Sequence, residues 1–390
     1  MASYFGRIEG IDVPTLRLLA AGATPAGQTG ELLSCAYTPD GAFVLSGGWD
    51  GHLRLWETGQ GSHVTAFTVS DKPVSACTVS PDGKTLVSGS LDGMLGLWDA
   101  LTHHQKTNYL AHTRPVSGIS YAPDNKTLAT SSWDSSVNVW HGLRSHDYRA
   151  LAGHRDIVAG CQFSPDGTSV LSWSHDKSVF YWDIPQLRPK RELVGHNDRV
   201  LAGSLSADGQ WAATGGRDGV LKLWDLNSGM EAGSVNLRGE VRGCPFLLDG
   251  ASLLAVDHQG RLTLHALPSL APQGELISRA AVNCCAMSPT GNQVALACGD
   301  GKIHLVAIDG FDQTPLLVGA TRTTKRVAST LQKLFGRSNL LFSYQCVCPV
   351  CRHVSNLGEK APAKALKCPA CKRSLQYSGV LRVLSEVDGK

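Results

Sequence analysis

The sequence predicts an all-β chain: a seven-bladed β-propeller over residues 1–319, followed by a small cysteine-bearing domain. Three observations predict it. Strand-like stretches ending in tryptophan recur at a fixed step of 42 residues, a turn signature recurs in phase with them, and two Cys-x-x-Cys pairs stand near the end of the chain.

The tryptophan stretches are LRLW ending at Trp56, LGLW at Trp98, VNVW at Trp140, VFYW at Trp182 and LKLW at Trp224. Two degenerate copies follow at a step of 41, LTLH ending at His265 and IHLV ending at Val306. The turn signature falls at Asp40, Asp82, Asp124, Asp166, Asp208, Asp249 and Thr290. Pro presets φ, Asp bonds its own backbone and Gly accepts positive φ, so Pro-Asp-Gly is turn chemistry. The alternation in LRLW and LKLW has the period of a strand. One sheet of this size cannot bury both faces, whereas seven in a ring bury each face against a neighbour.

Over about residues 15–319 the chain resembles the WD-repeat family. Gly-His stands at Gly153-His154 and Gly195-His196, and Trp-Asp at Trp98-Asp99, Trp182-Asp183 and Trp224-Asp225. The resemblance implies a hydrogen-bonded tetrad of His, Ser/Thr, Asp and Trp within a blade. Three sets match: His112, Thr130, Asp134, Trp140; His154, Ser172, Asp176, Trp182; and His196, Thr214, Asp218, Trp224. The first two blades keep Ser46, Asp50, Trp56 and Ser88, Asp92, Trp98 without the histidine. The resemblance also implies that a segment outside the repeats closes the ring. Two segments compete for that slot, Thr15–Ala20 (TLRLLA) and Pro315–Gly319 (PLLVG).

Composition agrees with a globular chain: 42% hydrophobic and 18% charged residues, with 42 glycines among 390 residues. No apolar run is long enough for a membrane-spanning helix, and the first ten residues lack the pattern of a secretory signal. A cytoplasmic, intracellular location is expected. Cys35, Cys77, Cys161, Cys244 and Cys285 share one column of the repeat with Ile119 and Gly203. That column reads as packing in the innermost strand, not as a disulfide framework. Phosphate loops, serine-nucleophile elbows and zinc-protease helices are all lacking. The Ser-His-Asp sets recur at one structural position, which argues for stability. The chain is therefore expected not to be an enzyme and to have no small-molecule substrate.

Beyond the repeats, Cys348-Pro-Val-Cys351 and Cys368-Pro-Ala-Cys371 are separated by sixteen residues, the spacing of a zinc site. Four thiolates fill a tetrahedral shell, so Cys348, Cys351, Cys368 and Cys371 are expected to hold one structural Zn2+ with no open position. Residues 340–390 resemble a zinc ribbon, with Cys346 left over beside the site. Residues 320–339 are expected to form a basic linker helix, because Val327, Leu331, Leu334 and Phe335 fall at helical spacing. The repeats carry no such ligand set, so the propeller is expected to survive chelation. Residues 320–390 hold 13 basic and 3 acidic side chains, leaving 23 and 30 in the first 319. This asymmetry makes nucleic acid an alternative partner for the tail.

One column of the repeat points to binding. The residue before the Asp of each tight turn is Trp49, Leu91, Trp133, His175, Arg217, His258 or Gly299. In the family it faces the rim. Trp49, Trp133, His175, Arg217 and His258 are therefore candidate contacts for a protein partner, the indoles either anchoring it or packing on neighbouring loops. The expected function is a protein-interaction scaffold: the rim holds one partner and the ribbon a second.

Overall fold

Turn chemistry sets each blade. In the first, the strands Leu32–Tyr37, Phe43–Gly48, His52–Glu57 and His63–Thr68 pair in sequence order, all antiparallel. At the first turn Asp40 Oδ1 accepts the Ala42 amide at 3.0 Å and Gly41 has φ 71°. The 42-residue step repeats this hairpin series around the ring. In the computed structural model, which describes residues 15–22, 30–59, 61–142, 147–309, 316–327, 339–347, 354–358, 365–367 and 374–384, the first unit runs from Met1 to Asp309. It holds seven four-stranded sheets.

The innermost strands begin at Leu32, Val74, Val116, Val158, Val200, Val241 and Val282, and all seven side chains are fully buried. Each innermost strand lies beside the next, and the last lies beside the first. Apolar clusters run from blade to blade. Val87, Leu95 and Leu97 pack with Leu128 and Trp140 of the following blade. Leu32, Val44 and Trp56 of the first blade pack with Ala295, Ala297, Ile303 and Leu305 of the seventh. Each such aliphatic contributes about 1.5–3 kcal/mol by leaving water. Trp56, Trp140, Trp182 and Trp224 are the largest fully buried side chains, so the tryptophan repeat is a repeat of blade cores.

Thr15–Gly22 supplies the fourth strand of the seventh blade, pairing antiparallel with Ile303–Asp309 from Thr15 opposite Asp309 to Gly22 opposite Ile303. Of the two segments that compete for closure, the N-terminal one takes the slot. Closing the ring removes a sheet edge that would otherwise template pairing with another chain.

The column of packing cysteines lies as its spacing suggests. Cys35, Cys77, Cys161 and Cys244 are buried, Cys285 partly so. Burial pushes the thiols of Cys77, Cys161 and Cys244 up to about 12. Gly203 stands in that column because Trp173 of the preceding blade fills its place. A β-carbon on Gly203 would sit 2.4 Å from the indole, and one on Gly160 2.3 Å from its other edge. Trp173 is thus a wedge between the innermost strands of blades four and five.

The second unit, Gly310–Lys390, contains a five-stranded sheet of its own. Leu316–Val327 is central, antiparallel to Asn339–Val347 and parallel to Ser374–Leu384; Val354–Gly358 and Ala365–Lys367 complete the sheet. One expectation is corrected. The linker helix expected over 320–339 is a strand in its first part, through Val327. Thr321, Thr323, Thr324 and Val327 are β-branched, and they outweigh the helical spacing of the apolar residues. Residues 328–338, and the predicted zinc ligands Cys348, Cys351, Cys368 and Cys371, lie outside the described residues. Cys346 is on a strand, opposite Ala320. Among the described residues no helix is long and apolar enough to cross a membrane.

Candidate functional site

The rim is built by one bond made seven times. The residue before each turn aspartate donates its backbone N–H to a carbonyl of the loop that leads into the same blade. The pairs are Trp49 to Glu31 at 2.8 Å, Leu91 to Pro73 at 3.0 Å, Trp133 to Pro115 at 3.0 Å, His175 to Ile157 at 2.8 Å, Arg217 to Arg199 at 2.9 Å, His258 to Glu240 at 2.9 Å and Gly299 to Ala281 at 2.8 Å. Six side chains, and the bare Gly299, therefore stand at equivalent positions on one face. The backbone beneath them is pinned whatever the residue, so the fold places no demand on their size.

Their exposures differ. Trp49 is 57% and Trp133 44% exposed. Among the described residues neither indole N–H finds a hydrogen-bond acceptor. Arg217 is half exposed, with Nε 3.3 Å from Glu240 Oε1, and Glu240 Oε2 accepts from Arg242 Nη2 at 2.7 Å. His175 is half-buried. Burial lowers its pKa first, and Arg199, Arg217 and Arg242 lower it further against the pull of Asp156. His258 is less available than its column suggests, because its Nδ1 lies 3.1 Å from the Val282 carbonyl.

Buried networks hold the turns under this face. In blade three, His112 Nδ1 meets Asp134 Oδ2 at 3.0 Å, its Nε2 meets Thr130 Oγ1 at 2.7 Å, and Trp140 Nε1 donates to Thr130 Oγ1 at 2.9 Å. Blade four repeats this with His154, Asp176, Ser172 and Trp182 at 3.1, 2.8 and 2.8 Å. Burial opposes the charge on Asp176, but hydrogen bonds from His154, Ser178 and the Arg155 amide outweigh it and hold the carboxyl far below the ordinary range. Ser172 is fully buried and already accepts from the tryptophan, so no substrate reaches it. These are structural clamps.

Those tetrads and the repeat geometry decide the family, and its profile (WD domain, G-beta repeat) matches residues 22–57, 61–99, 104–141, 146–183, 187–225 and 272–306. The chain belongs to the WD40 family. No curated protein matches it. Propellers of this WD40 type are in general scaffolds for protein interaction. The six matches leave out the first three strands of blade six, where His265 stands in the tryptophan column and Gln259 in the aspartate column. That blade still forms, on fully buried Leu253, Leu254, Leu262 and Leu264.

The third tetrad read from the sequence is not complete. His196 reaches Thr214 at 2.7 Å and Trp224 donates to Thr214 at 2.7 Å, but among the described residues Asp218 accepts from the Val220 amide and not from His196, whose buried Nδ1 finds no partner there. The cause is a side chain two residues past the aspartate. Ser136 and Ser178 bridge the histidine and the aspartate in blades three and four, at 3.1 and 2.5 Å and at 3.0 and 2.5 Å. Blade five has Val220 there, which offers no hydroxyl.

Two features lie outside the expected sites. The first blade replaces its missing histidine with Arg54, fully buried on the third strand, whose guanidinium grips Asp50 with one bond of 3.0 Å and a second, shorter one. In the seventh blade His304 occupies the same column and meets Asp300 Oδ2 at 3.0 Å. The signal was a cationic or imidazole residue in an otherwise apolar inward strand, in LRLW and IHLV.

Proposed function

We propose that this WD40 chain is a non-catalytic scaffold that docks a protein partner on the rim formed by Trp49, Trp133, His175, Arg217 and His258. One observation carries the reading: seven equivalent positions are pinned through their backbone alone, and two of them display exposed tryptophans that the fold does not require. Tryptophan and arginine are the usual anchors of an interface. The seven cysteines described in the propeller are free thiols, which supports an intracellular setting.

Trp133→Ala and Arg217→Ala are expected to leave the thermal midpoint unchanged within error while weakening partner binding by about 2 kcal/mol each. Recovery of bound protein from lysate, beside a melting curve, reads both. Lower midpoints with undiminished recovery would make these side chains loop packing.

The second half of the proposal is that the C-terminal unit holds one structural Zn2+ on Cys348, Cys351, Cys368 and Cys371 and makes a separate contact. Its support is the paired knuckle spacing. Cys348→Ser/Cys371→Ser should lower the zinc content by one ion per chain in elemental analysis; undiminished content would end the assignment. The 13 basic against 3 acidic residues of 320–390 favour nucleic acid as the alternative contact there. Binding through phosphates would weaken steeply between about 50 and 200 mM salt, and a protein contact through aromatic anchors would not.

A further inference from the structure

We propose that the seventh blade carries a divalent-metal site of zinc type, formed by Cys298, Asp300 and His304. One ligand atom from each lies within 4.8 Å of the others. They come from three consecutive pieces of one hairpin: Cys298 ends the second strand, Asp300 lies in the tight turn and His304 is on the third strand. The turn fixes them. Gly301 donates to the Cys298 carbonyl at 3.2 Å, and Lys302 donates to Asp300 Oδ1 at 3.0 Å. That leaves Asp300 Oδ2 to face His304 Nε2 at 3.0 Å.

The same three columns in the other blades show what is special here. Where Cys298 stands, the preceding blades have Gly48, Ser90, Ser132, Ser174, Gly216 and Asp257. Where His304 stands, they have Arg54, Gly96, Asn138, Phe180, Lys222 and Thr263. Only the seventh blade brings a thiol, a carboxylate and an imidazole together at these positions. The ligand types match zinc: a soft sulfur, an imidazole nitrogen and a carboxylate oxygen, a set that magnesium and calcium do not favour. Charge matches as well. Thiolate, carboxylate and neutral imidazole sum to minus two, so a divalent ion leaves the cluster neutral, the thiol proton passing to solvent as the ion binds.

Without an ion the cluster is poorly satisfied. His304 is buried, and its Nδ1 has no hydrogen-bond partner. The Cys298 thiol lies 3.6 Å from the Leu296 carbonyl of its own strand and takes a hydrogen bond from the His304 backbone, which favours its thiolate form. Asp300 is 38% exposed along its side chain, which gives an ion a path in and leaves a fourth position for water. The blade also lacks the usual clamp, since Val306 replaces the tryptophan and Leu296, two residues before Cys298, stands where the serine or threonine would be. An ion would tie the turn to the third strand in the blade that closes the ring. Chelation would then reach the propeller, contrary to what the repeats alone suggested.

Full-length protein is loaded with Zn2+, dialysed and analysed for metal, then reloaded with Co2+ for absorption spectroscopy. Cys298→Ser should hold one ion fewer per chain than wild type. The difference spectrum between the two Co2+ forms should show a sulfur-to-cobalt band of a single thiolate. Serine stands in this column in three other blades, so the variant is expected to fold, as circular dichroism will show. His304→Arg separates a ligand from a structural pair. It copies the Arg54–Asp50 arrangement of the first blade, so it should keep the melting midpoint of metal-free wild type and still lose the ion. The tail cysteines do not confuse the result, because Cys348→Ser/Cys371→Ser lowers the count independently of Cys298. Equal metal content in wild type, Cys298→Ser and His304→Arg, or a flat difference spectrum, would overturn the proposal.

Discussion

Replacing Arg54 with alanine is expected to destabilise the propeller by about 3–5 kcal/mol, the cost of removing one partner from a buried ion pair. Arg54 is fully buried and grips Asp50 with two prongs in a blade without the tetrad histidine, while His52 Nδ1 stands farther off, 3.6 Å from Asp50 Oδ1. Burial works against the Asp50 charge, yet the bonds from Arg54 still hold its pKa below the ordinary value. Truncation leaves that carboxylate beside an empty guanidinium slot. Because the Asp50 side chain is 23% exposed, water enters to solvate it and the loss should fall at the lower end of the range. The double variant Arg54→Met/Asp50→Asn removes both charges and keeps most of the volume, and should recover most of the stability. Urea denaturation of the two singles and the double, treated as a cycle, measures the coupling. A single-variant loss under about 1 kcal/mol would mean that the pair does not lock the blade.

The parts legible in the sequence were those that repeat. A fixed step places every tryptophan, turn aspartate and rim residue in a column, and a column in a closed ring has one structural meaning. Thr15–Ala20 could be read as the closing strand because it resembles the outer strands of other blades. What was not legible depended on single neighbours. The tetrad of blade five has all four residues, yet fails to close because Val220 stands where the other two blades have serine. Arg54 and His304 act from a strand column that holds glycine, asparagine, phenylalanine, lysine and threonine in the other blades, so no repeat average reveals them. The segment after the propeller misled for another reason. The apolar spacing over 321–337 is helical, but Thr321, Thr323 and Thr324 favour extension, and a neighbouring strand was available to pair with them.

The incomplete tetrad makes His196 an acid-sensitive point. Trp224 donates to Thr214 Oγ1, and the Thr214 hydroxyl meets His196 Nε2, so the ring's other nitrogen faces a buried position with no acceptor. Burial, and then the Lys222 ammonium, push the His196 pKa down to about 4, against smaller pulls from Asp218 and Glu231. The unfolded chain takes a proton near the ordinary histidine value of about 6.5, which the folded chain refuses. His196 therefore adds its full stability above about pH 6.5, loses it as the pH falls towards about 4, and changes nothing further below that. The loss is at most about 3 kcal/mol for a shift of this size. Burial lowers the His265 pKa as well, so the measurement is a difference: urea midpoints for wild type and His196→Gln at steps between pH 7 and pH 4. The variant should lose markedly less stability over that window. Val220→Ser restores the bridging hydroxyl of blades three and four. It should draw Asp218 onto Nδ1, raise the His196 pKa and shrink the acid loss while leaving the ring intact. Parallel pH curves for wild type and His196→Gln would show that this imidazole does not set the acid limit of the propeller.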